Sequence, residues 1–174
     1  FVGPILNVND LPTGTLTIDG TLSQGVTLTA NISNISDLDG IHDNSFNYQW
    51  RYSNSSGGDP SYDIYGATDI SYTLTQTDVG NFISVDVSYT DDLGTTEDIS
   101  SDFVGPILNV NDPPSGTLTI SGELSQGVTL TANTTNIQDL DGIGDFHYQW
   151  IYSDYPDGDP SHDISGATDI SYAL

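Results

Sequence analysis

The sequence predicts an all-β protein built from tandem copies of one unit, and three observations support this prediction. Long stretches recur, since FVGPILNVND at residues 1–10 returns at 103–112 and SQGVTLTAN at 23–31 returns at 125–133. Apolar and polar residues alternate with a period of two, as in ISVDVSY at residues 83–89. No stretch has the 3.6-residue period of an amphipathic helix. We therefore expect short antiparallel strands joined by turns.

The spacing of the copies predicts how the chain divides into domains. The offset is 102 residues up to the loop at residues 41–46 and 100 residues beyond it, because IHDNSF becomes IGDF in the second copy. A period near 100 residues is too long for a solenoid and is typical of separate domains. We expect three parts: residues 1–11 are the last strand and linker of a preceding repeat, residues 12–112 are a complete repeat, and residues 113–174 are a partial repeat without its final strands. The chain has no Met, so we expect a segment of a longer protein.

The complete repeat has the size of an immunoglobulin-like β-sandwich with Greek-key connections, with about seven strands in about 100 residues. Trp50 lies in the middle of a strand, where its ring would fill the core between two sheets. Phe46, Tyr48 and Tyr52 alternate with polar residues on either side of Trp50, so all four rings are predicted to be core. The chain has no Cys, so burial alone must hold the sheets together.

Motifs along the whole repeat indicate a family. They are NVNDLPTGTLTIDGTLSQGVTLTA at 7–30, DLDG at 37–40, YQW at 48–50, GATDISYTLTQTDVG at 66–80 and ISVDVSYTDDLGT at 83–95. This pattern resembles repeats of very large bacterial surface proteins, including RTX-type adhesins and cadherin-like array proteins. The resemblance implies an extracellular or cell-surface location. It also implies a structural role, in which the repeats act as extenders that hold a distant binding domain away from the cell.

The charge excludes some partners. The chain has 25 acidic residues and one basic residue, Arg51, for a formal net charge of −24. Such a surface repels phosphates, so we expect no nucleic-acid partner. No run of 18 apolar residues is present, so we expect no direct membrane insertion by this segment. Divalent cations would offset the repulsion best; the alternative is that the acidity serves solubility alone.

One loop in each copy has the residue types of a calcium site. The first contains Asp37, Asp39 and Asp43, and the second contains Asp139, Asp141 and Asp145. Acidic residues at alternate positions followed by Gly let carboxylates converge in a sharp turn, as the hard Ca²⁺ ion requires. The alternative is a turn in which Asp and Gly only satisfy backbone geometry.

A second candidate lies at the junction between copies. NVNDLP at 7–12 and NVNDPP at 109–114 resemble the inter-domain linkers of cadherin-like proteins. That resemblance implies Ca²⁺ held by Asn111 and Asp112 together with Asp91, Asp92 or carboxylates near Asp139. The alternative is a linker kept extended by its prolines.

These features predict a non-catalytic protein. His42 and His147 do not fall at equivalent positions of the two copies, so no recurring nucleophile–base pair or zinc cluster is predicted. The expected function is a Ca²⁺-stiffened extender rod or fibre for adhesion or matrix, whose partners are neighbouring repeats of the same chain. The alternatives are a filament in which identical chains assemble, and a module that binds glycans or a protein.

Overall fold

The computed structural model describes residue 3 and residues 6–42 and 46–174. It divides the chain into two compact units, residues 1–110 (unit 1) and residues 111–174 (unit 2). The described residues contain no α-helix, and the predicted all-β character is confirmed. The strands of unit 1 are β1 (Thr17–Asp19), β2 (Thr27–Asn31), β3 (Asn47–Ser53), β4 (Ser61–Asp63), β5 (Ser71–Thr73), β6 (Phe82–Thr90) and β7 (Thr96–Ser100). Those of unit 2 are β8 (Thr119–Ser121), β9 (Thr129–Asn133), β10 (Ile151–Ser153), β11 (Ser161–Asp163) and β12 (Ser171–Ala173).

Unit 1 consists of two antiparallel sheets. One has the strand order β1-β2-β5, and the other has the order β4-β3-β6-β7. The longest pairing joins β3 to β6, with seven residue pairs from Asn47 opposite Ser88 to Ser53 opposite Phe82. Alternate side chains of each strand point to one face, so both sheets can place an apolar face on a common core.

The core of unit 1 draws side chains from both sheets. Its buried members are Leu16, Leu28, Ala30, Trp50, Ala67, Leu74, Ile83, Val85, Val87 and Ile107. Trp50 is fully buried, its ring centroid lies 5.9 Å from that of Tyr72 in the opposite sheet, and its Nε1 donates to the Asp69 carbonyl at 2.9 Å. The predicted alternation is thus confirmed in β2 and β6, and Trp50 occupies the predicted core position.

Tyr52 departs from the predicted row of core aromatics. Phe46 and Tyr48 pack against the core, but Tyr52 is exposed and is not part of the core cluster. Its ring lies 5.5 Å from that of Tyr62, its partner on the neighbouring strand β4. The prediction was wrong here because a period-two pattern shows which face of the sheet a side chain takes but not how well that position is covered. Ile83, directly opposite Tyr52 on β6, is fully buried.

A buried carboxylate holds the turn between β5 and β6. Asp78, at the end of a 3-10 turn (Gln76–Asp78), is 4% exposed. Its Oδ2 accepts hydrogen bonds from the Tyr72 hydroxyl at 2.9 Å and the Thr75 backbone N–H at 2.7 Å. Burial first, and then the bond to Asp78, raises the pKa of Tyr72 to about 12. These bonds fix the start of β6 against the edge of the opposite sheet.

Unit 2 has the sheet β8-β9-β12 and the pair β10-β11. Residues 147–153 match β3 in sequence, yet only Ile151–Ser153 form a strand. In unit 1 the register explains this difference, because Arg51–Ser53 pair with both β4 and β6 whereas residues 47–50 pair with β6 alone. The second copy in this chain has no counterpart of β6, so residues 147–150 have no ladder to join.

Replacing Trp50 with Ala is expected to lower the free energy of unfolding of unit 1 by about 3–5 kcal/mol, since a fully buried indole is lost. Urea unfolding followed by circular dichroism measures this change. Tyr65→Ala is the control, because Tyr65 is fully exposed and its loss is expected to matter by less than about 0.5 kcal/mol. A Trp50→Ala loss as small as that of the control would contradict the assigned core.

Candidate functional site

The acidic loop of unit 1 (residues 37–42) is a tight turn. Asp37 Oδ1 accepts the backbone N–H of Asp39 at 2.8 Å, and the Gly40 N–H points to the Asp37 carbonyl at 3.3 Å. Gly40 has a φ of +87°, and a Cβ at this position would collide with the Asp92 carboxylate. The glycine therefore lets Asp92 lie directly against the loop.

The leading segment (residues 6–12) lies on this loop. Asn7 Nδ2 donates to Asp39 Oδ1 at 2.8 Å, and the Asp10 backbone N–H donates to Asp39 Oδ2 at 2.7 Å. Asn9 Nδ2 donates to Glu97 Oε1 of β7 at 2.6 Å. The acidic loop and the NVND segment, two separate candidates in the sequence, are thus brought together in unit 1.

The end of β6 adds a buried tyrosine and, just after the strand, a buried carboxylate. Tyr89 is 1% exposed, and its hydroxyl donates to Asp37 Oδ2 at 2.6 Å. Asp91 is 2% exposed, and its Oδ1 accepts the backbone N–H groups of Leu93 at 2.9 Å and Thr95 at 2.7 Å. Its second oxygen, Oδ2, is buried and has no hydrogen-bond partner among the described residues.

We call the group Asn9, Asp37, Asp39, Asp91 and Glu97 the acidic end of unit 1. Its charges act on one buried phenol. Burial first, then the hydrogen bond to Asp37, and then the charges of Asp37, Glu97 and Asp91 raise the pKa of the Tyr89 hydroxyl. Glu97 itself is only 5% exposed. Carboxylates that surround one buried group repel each other unless a cation offsets them.

The protein offers this end little positive charge of its own. The one basic residue, Arg51, forms ion pairs with Asp63 at 3.1 Å and Asp86 at 3.2 Å. His42 Nδ1 lies 3.4 Å from Asp92 Oδ1, and both side chains are largely exposed. The described residues hold no set of three or more His, Asp or Glu side chains already arranged to bind a metal ion.

Unit 2 repeats part of this arrangement. Asp139 Oδ1 accepts the Asp141 N–H at 2.9 Å, and the Asp112 N–H donates to Asp141 Oδ2 at 2.7 Å. Asn111 Nδ2 donates to the Asp112 carbonyl at 3.2 Å, whereas Asp145 is exposed. An open hollow of about 530 Å³ lies beside the loop, lined in part by Asp112 and Asp139. The second copy has no counterparts of Tyr89, Asp91 and Glu97 to face this hollow.

The structure therefore groups some predicted residues and adds others. Asp37, Asp39, Asp91 and Asp92 lie together in unit 1, and Asp112, Asp139 and Asp141 lie together in unit 2. Asp43 lies outside the described residues. Sequence reasoning gave no ligand role to Asn7, Asn9 and Asp10, although it singled out the NVND segment that contains them. It missed Glu97 altogether. The identity of residues 7–10 with 109–112 was a usable signal for the first three, but none marked Glu97.

No family model matches the chain, and no curated protein matches it. Among the described residues, no helix is long and apolar enough to cross a membrane.

Asp37→Asn is expected to lower the pKa of Tyr89, which stays above its ordinary value because burial is the largest cause of the shift. Because its pKa is raised in the folded state, the neutral Tyr89 hydroxyl stabilises the fold fully below the unfolded-state pKa of about 10. This stabilisation is lost as pH rises through the folded-state pKa, so the pH at which the variant unfolds in alkali is also expected to change. Carbon-13 NMR of the tyrosine Cζ atoms during an alkaline titration measures the onset of ionisation.

Asp139→Asn is the matched control, since it removes the equivalent acid from a unit with no counterpart of Tyr89. Tyr89 ionising at the same pH in the Asp37→Asn variant and in the parent chain would contradict the placement of Asp37 beside its hydroxyl.

Proposed function

We propose that this chain is a structural extender segment of a large extracellular or cell-surface repeat protein, built from immunoglobulin-like β-sandwiches with Greek-key connections. Two features of unit 1 support the sandwich. Its two antiparallel sheets share one core around Trp50, and its seven strands divide as β1-β2-β5 and β4-β3-β6-β7. Immunoglobulin-type domains have a comparable division, with a buried Trp on the third strand. The fourth strand lies beside β3, rather than beside β5 as in the constant-type arrangement.

The second part of the proposal is that Ca²⁺ binds at the acidic end and stiffens the extender. The observation that carries it is Asp91 Oδ2, a buried carboxylate oxygen without a hydrogen-bond donor. A buried acceptor left without a donor costs about 1–3 kcal/mol, which is a sizeable part of the stability of a domain of this length. Ca²⁺ takes six to eight oxygen ligands, and carboxylates, amide carbonyls and backbone carbonyls all serve.

The proposed ligands in unit 1 are Asp37, Asp39, Asp91 and Glu97, with the amide oxygen of Asn9. Each of these except Asp91 has a side chain already engaged by Tyr89 or by the leading segment. Binding therefore requires side-chain rotation around the fixed Asp91, at the expense of some of these hydrogen bonds. In unit 2 the corresponding oxygens belong to Asp139, Asp141, Asn111 and Asp112, without the contribution from β6 and β7.

Ca²⁺ at this position would have a mechanical consequence. The leading segment is held to unit 1 mainly by hydrogen bonds between exposed polar groups, which water can replace. An ion that joins Asn9 to Asp39 and Asp91 would convert this contact into a rigid joint. It would also reduce the repulsion that a net charge of −24 produces. No catalytic residue is part of the proposal.

The test is thermal unfolding of the full chain with 2 mM CaCl₂ or with excess EDTA, at equal ionic strength. Saturating Ca²⁺ is expected to raise the melting temperature of unit 1 by several degrees, because binding to the folded state alone stabilises it by RT ln(1 + [Ca²⁺]/Kd). In the Asp91→Asn variant, the rise in melting temperature is expected to be about a third of that in the parent chain, or less. Asn keeps the Oδ1 acceptor for the Leu93 and Thr95 N–H groups, so the fold is preserved.

Asp63→Asn is the control, because it removes one negative charge of an exposed carboxylate that pairs with Arg51. It is expected to keep the full Ca²⁺ response. A melting temperature indifferent to Ca²⁺, or an equal response in Asp91→Asn and Asp63→Asn, would contradict the proposed site.

A further inference from the structure

Unit 2 has an open apolar groove where unit 1 has a closed core. Leu118 is 56% exposed and Ile120 is 61% exposed, whereas Leu16, the counterpart of Leu118, is 2% exposed. The groove has a volume of about 370 Å³, and Tyr148 and Trp150 lie on its other side. Apolar surface gathered in a groove is unfavourable in water and marks a contact site.

Unit 1 indicates what fits this groove. The same surface there, made of near-identical sequence, is covered by β6, whose Ile83, Val85 and Val87 are at most 1% exposed. β6 also supplies the backbone ladder for residues 47–50, with Trp50 directly opposite Val85. In unit 2 the equivalent residues 147–150 form no strand, so the groove lacks both the apolar cover and the hydrogen-bonded partner.

We propose that the groove of unit 2 takes one occupant, a β-hairpin of the repeat type from outside these 174 residues. The hairpin pairs with residues 147–153 in the antiparallel register that β6 has with β3. Its alternate apolar side chains cover Trp150, Leu118 and Ile120. Inside the chain the one segment with this pattern, β6 and β7, is already built into unit 1.

One residue difference between the two copies further specifies the sequence of the occupant. Arg51 of β3 pairs with Asp86 of β6 at 3.2 Å, but the residue equivalent to Arg51 in unit 2 is Ile151, which is 56% exposed. An acidic residue at the Asp86 position would find no cation there. The occupant therefore carries an uncharged residue at the position of Asp86.

The test adds a synthetic peptide with the sequence of residues 75–110 to the full chain in 150 mM NaCl, followed by isothermal titration calorimetry. We expect one peptide to bind per chain with a negative heat-capacity change, as the burial of apolar surface requires. A peptide with Val85→Asp and Val87→Asp is expected to bind at least about a hundredfold more weakly, because both changes place charge in the groove. A peptide with Asp86→Thr is expected to bind about two- to fivefold more tightly than the parent peptide.

Chain variants and sedimentation separate the possible occupants. Leu118→Asp in the groove is expected to weaken binding of the parent peptide by at least about tenfold. Leu38→Asp, at an exposed position of unit 1, is expected to leave the affinity for the peptide unchanged. No heat of binding at 200 µM peptide, or equal binding of the parent and doubly substituted peptides, overturns the proposal. Concentration-dependent dimerisation of the chain that the peptide does not reverse also overturns it, since a second copy would then cover the groove. The titrations are made in excess EDTA, so the result does not depend on Ca²⁺ and each proposal can fail alone.

Discussion

The antiparallel pairing of β3 with β6 is the interaction on which the rest of unit 1 depends. It joins seven residue pairs at the centre of the larger sheet, and every other strand of that sheet attaches to one of these two. The pairing also sets the core, because it places Trp50 beside Val85 under the opposite sheet. Without a disulfide, the burial of this core is the main interaction that holds the sheets together. Unit 2 has the same surrounding sequence without β6, and its strand equivalent to β3 is correspondingly short.

The acidic end depends on the same strand. β6 ends in Tyr89 and Thr90, and Asp91 follows directly. The turn into β7 then brings Glu97 back opposite Tyr89. This hairpin buries two carboxylates and a phenol beside a loop that already contains Asp37 and Asp39. In unit 2 the loop and linker keep their mutual hydrogen bond but face an open hollow. One strand therefore accounts for the closed core of unit 1 and for its most crowded group of charges.

The sequence predicted what depends on local pattern. Period-two alternation predicted the buried faces of β2 and β6. It could not predict that Tyr52 is exposed, because how well each position of a sheet is covered is a tertiary property. It also could not predict Glu97, since a period-two pattern does not say which acid will lie beside a linker 88 residues away. Asp91 was a candidate from the resemblance of the junction to cadherin-like linkers, but the burial of its Oδ2 could only be seen in the folded structure.

Hydrogen exchange of the backbone amides tests the central role of β6 most directly. The two copies provide an internal comparison, since Tyr48 and Gln49 recur as Tyr148 and Gln149 in the same chain. The Gln49 N–H is expected to exchange at least about a hundredfold more slowly than the Gln149 N–H, because only Gln49 lies beside a partner strand. The Tyr48 N–H is the internal control, since it points to the other edge of β3, as the Trp50 N–H does toward the Ala67 carbonyl. Equal protection of Gln49 and Gln149 would mean that β6 does not hold β3 in place, and would contradict this account.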